Sequence, residues 1–357
     1  MSHFDVQLTQ SPRPRPAENA LGFGKHFADH MFVAEWTSQR GWHDARIVPY
    51  GPMSFDPAAS VLHYGQAMFE GMKAFRGADG KVRLFRVERH SRRMAEGAPR
   101  LCMPPPDPEM MQQAITELVR IDSAWVPSSP GTALYIRPTL VASEAFLGVR
   151  PADHYTYFII TSPVGAYYEA GVKPVKIWVE RSFVRAPQGG LGAVKASANY
   201  AASLLAAENA RKAGYAQVLW LDAAEHKWLE EVGTMNLVLK IRGELITPAL
   251  QGSILAGVTR DCDMTLARDW GMKVVERPIS LDEVIAAHRD GSLEEVFGTG
   301  TAAVISPVGE LAVGTGPGDR LVIHDGVIGE TAKRLYDEIT GIQYATRPDP
   351  HGWLTEV

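Results

Sequence analysis

The sequence has almost no cysteine. Cys102 and Cys262 are the only two in 357 residues; they lie far apart, and neither belongs to a Cys-x-x-Cys pair. That rules out a cysteine zinc cluster and fits a reducing cytosol. Long apolar runs are missing too, since no stretch reaches the length of a membrane span. The first twenty residues, MSHFDVQLTQSPRPRPAENA, are polar and proline-containing, with no apolar signal core, and read as a disordered lead-in. Basic runs are absent and the net charge is −5, which argues against nucleic acid or an anionic membrane as partner. No His-Glu-x-x-His zinc motif and no Gly-x-Ser-x-Gly elbow occurs, so neither a zinc hydrolase nor a serine hydrolase finds support. There is no internal repeat and no low-complexity tract.

What is present is a chain long enough for about two domains. It is 45% hydrophobic and 22% charged, which allows a packed core. Strands are expected in MFVAEW, ARIVPY, SVLHYG and MKAFRG, with a hairpin at Asp79-Gly80 before VRLFR. Helices are expected over Arg86–Arg100 and Asp107–Asp122, the latter facing inward through Met110, Met111, Ala114, Leu118 and Ile121. Two β-branched and aromatic strands, Thr132–Val141 and Tyr155–Thr161, complete an α+β first domain. Val164–Lys173, rich in glycine and tyrosine, reads as a linker. Beyond it, helices are expected over Asn199–Ala213 (Asn199 as cap, Leu204 and Leu205 inward), Val258–Trp270 and Leu281–Arg289. Strands are expected at QVLWLD, NLVLKI, ELIT, KVVERPI and EEVF. The domain organisation is thus a lead-in over 1–20, a small domain over 21–165, a linker over 166–175 and a second domain over 176–357.

The chemistry centres on Gly189–Tyr200, GGLGAVKASANY. Lys195 sits among small residues, and the nearest carboxylate along the chain is Glu208. Small neighbours let a bulky ligand approach the backbone, and a lysine leaving water without a partner becomes a neutral nucleophile. A solvated surface lysine in a glycine loop is the plainer alternative. Three further features stand in the second half. Gly257-Val258-Thr259 precedes a helix and suits a phosphate as well as it suits an ordinary cap. Gly298-Thr299-Gly300-Thr301 offers hydroxyls and backbone N–H groups after a strand. Glu231 precedes Gly233-Thr234, where a solvated turn carboxylate is the alternative. Gly298, Gly300 and Ala303 match a dinucleotide fingerprint, but the β-rich, proline-broken VISPVG follows where a helix is required. Val194 and Ala196 flank Lys195, so the Walker A pattern fails as well. A lone lysine, one phosphate site and a carboxylate together suit pyridoxal 5'-phosphate, whose aldehyde condenses with an amine and whose protonated ring is an electron sink.

Over nearly the whole chain, from about Leu21 to Val357, the sequence resembles the branched-chain amino acid aminotransferases, fold type IV pyridoxal phosphate enzymes. The blocks that carry the resemblance are Leu62–Gly77 (LHYGQAMFEGMKAFRG), Gly131–Pro138 (GTALYIRP), Val194–Tyr200, Val218–Asn236 and Val296–Pro307 (VFGTGTAAVISP). The resemblance implies a two-domain α+β fold, with a smaller N-terminal domain and a larger C-terminal one built on a strongly twisted mixed sheet or barrel. It implies Lys195 as the aldimine lysine, Glu231 at the pyridine nitrogen and Tyr200 at the phenolic oxygen. Arg93, Val258, Thr259 and Thr301 would hold the phosphate. Phe23, Tyr64, Phe69, Tyr135, Tyr167 and Thr234 would line the substrate pocket, with Thr301 and Ala302 offering N–H groups to the α-carboxylate. Core packing is the alternative for each of these aromatics. Tyr135 and Arg137, two apart in a strand and so on one face, could take a second carboxylate. Val149, with Tyr64, would cross a homodimer interface. The expected activity is reversible transamination of leucine, isoleucine and valine with 2-oxoglutarate in the cytoplasm, in biosynthesis or degradation, with no metal. Two departures are visible. Mammalian members carry Cys-x-x-Cys where Ala303 and Ser306 stand here, which removes a thiol switch at that place; and the loop from Asp222 to Glu230 is one residue longer. D-amino acid aminotransferase and aminodeoxychorismate lyase share the lysine and carboxylate but not the expected pocket blocks. A non-catalytic binder of a phosphorylated metabolite would need no such lysine.

Overall fold

A computed structural model describes residues 4–165 and 172–357. The chain forms two compact units. The first comprises Met1–Glu169, Val194–Ala198 and Gly341–Val357; the second comprises Ala170–Ala193 and Asn199–Thr340. Lys195 therefore belongs to the first unit, although the chain on either side of it belongs to the second. Tyr167 and the neighbouring part of the expected linker lie outside the described residues.

The first unit carries strands β1 (Asp5–Val6), β2 (His30–Thr37), β3 (Gly41–Pro49), β4 (Ala67–Phe69), β5 (Met72–Arg76), β6 (Val82–Phe85), β7 (Ala133–Ala142) and β8 (His154–Val164). Its helices are α1 (Ser60–Tyr64), α2 (Val87–Gly97) and α3 (Pro108–Ile121). The sheet runs β1-β3-β2-β8-β7-β5-β6, with β4 on β7. The β7–β8 ladder extends from Ala133↔Val164 to Ala142↔Tyr155 and fixes the face on which Tyr135 and Arg137 lie. α3 starts where the sequence says it should. Asp107 accepts the N–H groups of Glu109 and Met110 at 3.2 and 3.3 Å, and Pro108 occupies the first turn, where its missing N–H costs nothing. Its buried face is Met111, Ala114, Ile115, Leu118 and Val119, with Met110 and Ile121 at the margin.

The second unit carries β9 (Val175–Val179), α4 (Ser197–Lys212, whose first two residues count with the first unit), β10 (Gln217–Leu221), β11 (Leu229–Val232), β12 (Met235–Ile241) and β13 (Glu244–Thr247). These are followed by α5 (Val258–Asp269), β14 (Val274–Glu276), α6 (Leu281–Arg289), β15 (Leu293–Gly300), β16 (Val304–Ala312), β17 (Arg320–Val322) and α7 (Glu330–Gln343). β11 pairs with both β10 and β12, so β9, β10, β11, β12, β15 and β16 close into a six-stranded barrel. Closure pairs both sides of these six strands. The last strand, β18 (Leu354–Glu356), returns to β6 in the first unit's sheet. Among the described residues no helix is long and apolar enough to cross a membrane.

Three expectations are corrected. SVLHYG is the short helix α1, not a strand; Gly65 at φ 63° caps it by donating to the Val61 carbonyl, which closes the turn despite bulky side chains. α4 begins at Ser197, so Asn199 is not its cap; the Asn199 amide donates to the Leu191 carbonyl at 2.8 Å. Leu204 and Leu205 point outward, because the inner face is Ala206 and Ala210, whose small side chains let the helix lie close on Val218 and Trp220. Strands β1, β4, β9, β17 and β18 and helix α7 add to the expected set, and β1 pairs with β3 within the stretch expected to be a disordered lead-in.

Candidate active site

In the first unit the chemistry gathers around the Phe69 ring. The Lys195 Nζ lies 4.9 Å from its centre and the Arg137 Cζ 4.6 Å. The backbone holds this in place, for the Phe69 N–H donates to the Lys195 carbonyl at 3.1 Å, and Met68 bridges Ala196. Burial pushes the Lys195 amine down to about 8; Arg93 and Arg137 act in the same direction, and Glu70 and Tyr135 oppose them. Arg137 donates from Nη2 to the Tyr135 hydroxyl at 3.0 Å, while its buried Nε has no hydrogen-bond partner. Phe23 packs edge-on against Tyr135 at 5.0 Å. That tyrosine is possible only because residue 71 is glycine, since a Cβ there would fall 1.9 Å from its hydroxyl.

Arg93 is fixed by a group that sequence reasoning left without a role. Glu70, fully buried, accepts Arg93 Nε at 2.7 Å and Nη2 at 2.8 Å, and also the His90 Nδ1–H at 2.9 Å. Burial pushes Glu70 up, but the Arg93 guanidinium and His90 outweigh it and hold the carboxylate below its usual range. The two-point fork sets the orientation of the guanidinium. Glu70 was visible in the Phe-Glu-Gly of the Leu62–Gly77 block, but its spacing to Arg93 gave no hint of contact. A second lysine of this unit, Lys73 on β5, is also pushed down to about 8 by burial. Tyr64 and Val149 lie on the exposed side of the unit, where the Tyr64 hydroxyl donates to the Leu147 carbonyl.

In the second unit Glu231 is buried on β11 and held from three sides. Arg185 Nε lies 3.0 Å from Oε2, the Leu255 N–H donates to Oε1 at 2.8 Å, and the Asn236 amide reaches Oε1 at 3.5 Å. The same amide donates to the Leu255 carbonyl at 2.9 Å and so ties Glu231 to the turn that opens α5. Gly257 caps that helix, and a Cβ there would fall 1.8 Å from Asn236 Oδ1, so only glycine fits. Val258 and Thr259 are the first buried residues of the helix, where N–H groups without intrahelical partners and the helix dipole favour an anion. Thr301 and Ala302 form the tight turn between β15 and β16. Val304 closes it at φ 63°, a strained conformation for a β-branched residue, kept by the Gly300↔Val304 pairing. Thr234 is exposed in the turn after β11, and Tyr200 lies in the first turns of α4. Arg185 and Asn236 were missed, because their relation to Glu231 exists only after the barrel closes.

The donors fit pyridoxal 5'-phosphate by their chemistry: an amine that loses its proton near neutral pH, a buried carboxylate fixed by an arginine, and a helix N-terminus with a hydroxyl. Comparison with known proteins agrees. The family model described as amino-transferase class IV matches residues 67–311. The branched-chain-amino-acid aminotransferase 2 of Bacillus subtilis (strain 168) is 53% identical, over 99% of this chain and 96% of that protein. The branched-chain aminotransferase of Thermoproteus uzoniensis, solved with norvaline, superposes with a TM-score of 0.75 at 26% identity, over 91% of this chain and 99% of that one. The branched-chain amino acid aminotransferase of Thermobaculum terrenum in its PLP form gives 0.74 at 25% identity, over 91% of this chain and 97% of that one.

Proposed function

This chain belongs to the class IV aminotransferases, which are pyridoxal 5'-phosphate enzymes, and within them to the branched-chain-amino-acid aminotransferases; we propose that it passes the amino group of leucine, isoleucine or valine to 2-oxoglutarate, with the cofactor held covalently on Lys195. The cofactor, when bound, supplies an electron sink for the pair left on the substrate α-carbon. The chain's own residues do the rest. Lys195, with its amine at about 8, reaches the neutral form near physiological pH, and when free it takes and returns the α-proton. Glu231, fixed by Arg185 and Asn236, holds the pyridine proton, and Tyr200 donates to the phenolic oxygen. Arg93, Val258, Thr259 and Thr301 hold the phosphate. The N–H groups of Thr301 and Ala302 take the α-carboxylate. Thr234, Phe23 and Tyr167 belong to the substrate pocket.

One observation carries the dual specificity: a single apolar ring, Phe69, bears the reactive amine on one contact and a guanidinium on another. The ring suits a branched aliphatic side chain. The buried Arg137 Nε, which lacks a partner, suits the second carboxylate of glutamate. A hydrogen bond to a charged group is worth about 1.5–3 kcal/mol, or roughly 10- to 150-fold. Arg137→Met should lose that much in kcat/KM for 2-oxoglutarate beyond whatever its single-turnover half-reaction with leucine loses, since any change in the Lys195 amine enters both. Equal losses in both half-reactions would make Arg137 a structural residue and refute the assignment.

We also propose a homodimer in the cytoplasm as the working form. Leu62, Tyr64, Phe146, Leu147 and Val149 make one exposed apolar group, in which the Ser60 hydroxyl and the Ala58 carbonyl bind Phe146 and join α1 to the loop that carries Val149. Neither cysteine is in a disulfide, which suits a reducing compartment.

A further inference from the structure

Successive side chains of β11 point to opposite sides of the barrel wall. Glu231 takes one side, and Glu230 takes the other. Glu230 is 6% exposed, and one of its oxygens accepts the Ser253 hydroxyl. The other, Oε2, is buried without a hydrogen-bond partner. Glu230 is among the residues that line a cavity of about 450 Å³ lying wholly within the second unit, with Oε2 itself beneath the surface of its wall. Pro187, Pro248, Pro278, Ile254 and Trp228 give the cavity an apolar wall. The other carboxylates beside it are already engaged. Asp222 accepts the N–H groups of Ala224, Glu225, Lys227 and Trp228, and Glu225 accepts the Trp228 indole N–H at 3.2 Å.

A buried acceptor without a donor is costly, and the cost disappears when a ligand brings the donor. We propose that this cavity is a second ligand site, separate from the Lys195 and Glu231 chemistry, that takes a small organic cation with an apolar body, its N–H groups on Glu230 and its body against the prolines and Trp228. The Lys227 ammonium already lies 4.6 Å from the centre of the Trp228 ring, so Glu230 holds the ligand's charge and Trp228 meets only its apolar body. Burial pushes Glu230 up to about 7; Ser253 and Arg185 pull it down, while Glu231 and Asp222 push it further up. A cation binds the ionised form, so affinity is full above pH 7 and falls up to about tenfold per pH unit below it.

The test is calorimetric titration of the cofactor-loaded enzyme with benzamidine, a flat cation, and with benzamide, its neutral counterpart. Benzamidine should bind saturably with one site per chain at pH 8 and more weakly at pH 6. Glu230→Gln should weaken it roughly 10- to 150-fold, the loss of one hydrogen bond to a charged group. Ala249→Phe, which fills the cavity from its half-buried wall, should abolish binding and leave the absorption spectrum of the cofactor unchanged; it carries the test should Glu230→Gln not fold. Absence of saturable binding at pH 8, benzamide as tight as benzamidine, unaltered affinity in the variants, or displacement by a branched-chain 2-oxo acid would each overturn the proposal.

Discussion

The Lys195 amine should titrate near 8, and a single substitution should move it by a calculable amount. A lysine at about 8 is roughly one-quarter neutral at pH 7.5, against about one in a thousand at 10.5, so ~200-fold more nucleophile is available. Arg137 is one of the charges that hold the value down. Its guanidinium and the Lys195 amine lie 4.6 and 4.9 Å from the same ring centre, and so at most ~9.5 Å apart. At that separation two unit charges repel by about 1.7 kcal/mol at an effective dielectric of 20 and about 0.4 kcal/mol in water. Arg137→Met should therefore raise the Lys195 midpoint by roughly 0.3–1.3 pH units. The assay is reductive methylation of cofactor-free protein with limiting formaldehyde from pH 6 to 11, read site by site by mass spectrometry. Site resolution matters, because burial brings Lys73 to about 8 as well, with Arg137 not among its causes. Its midpoint should stay where it is in the variant. A wild-type Lys195 midpoint near 10.5, or an Arg137→Met midpoint that is unchanged or lower, would refute the reasoning.

Three further outcomes are expected. Borohydride reduction of the loaded enzyme followed by peptide mapping should place the cofactor on Lys195, and a label on Lys73 would reject the assignment. Glu231→Gln keeps an acceptor for the Leu255 N–H and should retain the cofactor, yet lose well over tenfold in turnover, since ~1.4 kcal/mol in the barrier is already tenfold; near-normal turnover counts against the role. Asp263 on α5 is fully buried, and burial pushes it well above its ordinary 3.8 against the opposing pull of Thr299 and Arg260. A raised carboxyl stabilises the fold fully below 3.8, and that contribution drains away as pH rises toward the folded value, by up to about 1.4 kcal/mol per unit. Asp263→Asn should thus gain in Tm over the wild type from pH 5 to pH 8, by roughly 2–4 °C per kcal/mol; a gap that narrows with pH would contradict a neutral, buried Asp263.

The sequence by itself determined the chemistry-bearing residue types and most of the local structure. Asp107-Pro108 announces α3 and Asp79-Gly80 announces the β5–β6 hairpin, because caps and turns are decided by contacts only a few residues away. The five motif blocks also carried the family, and Lys195 and Glu231 stand within them. The tertiary structure decided what surrounds those residues. Glu70 reaches Arg93 across 23 positions, and Leu255 reaches Glu231 across 24. Such contacts leave no periodicity in the chain, because they form only when a sheet pairs or a barrel closes. Leu204 and Leu205 show the same limit from the other side. Their apolar character suggested an inward face, but Ala206 and Ala210 took it, because the large Trp220 beneath leaves room only for small side chains. Whether Glu230 is a solvated strand carboxylate or a buried one in the wall of a cavity is likewise set by which segments pack behind β11, and three of them arrive as prolines from distant loops.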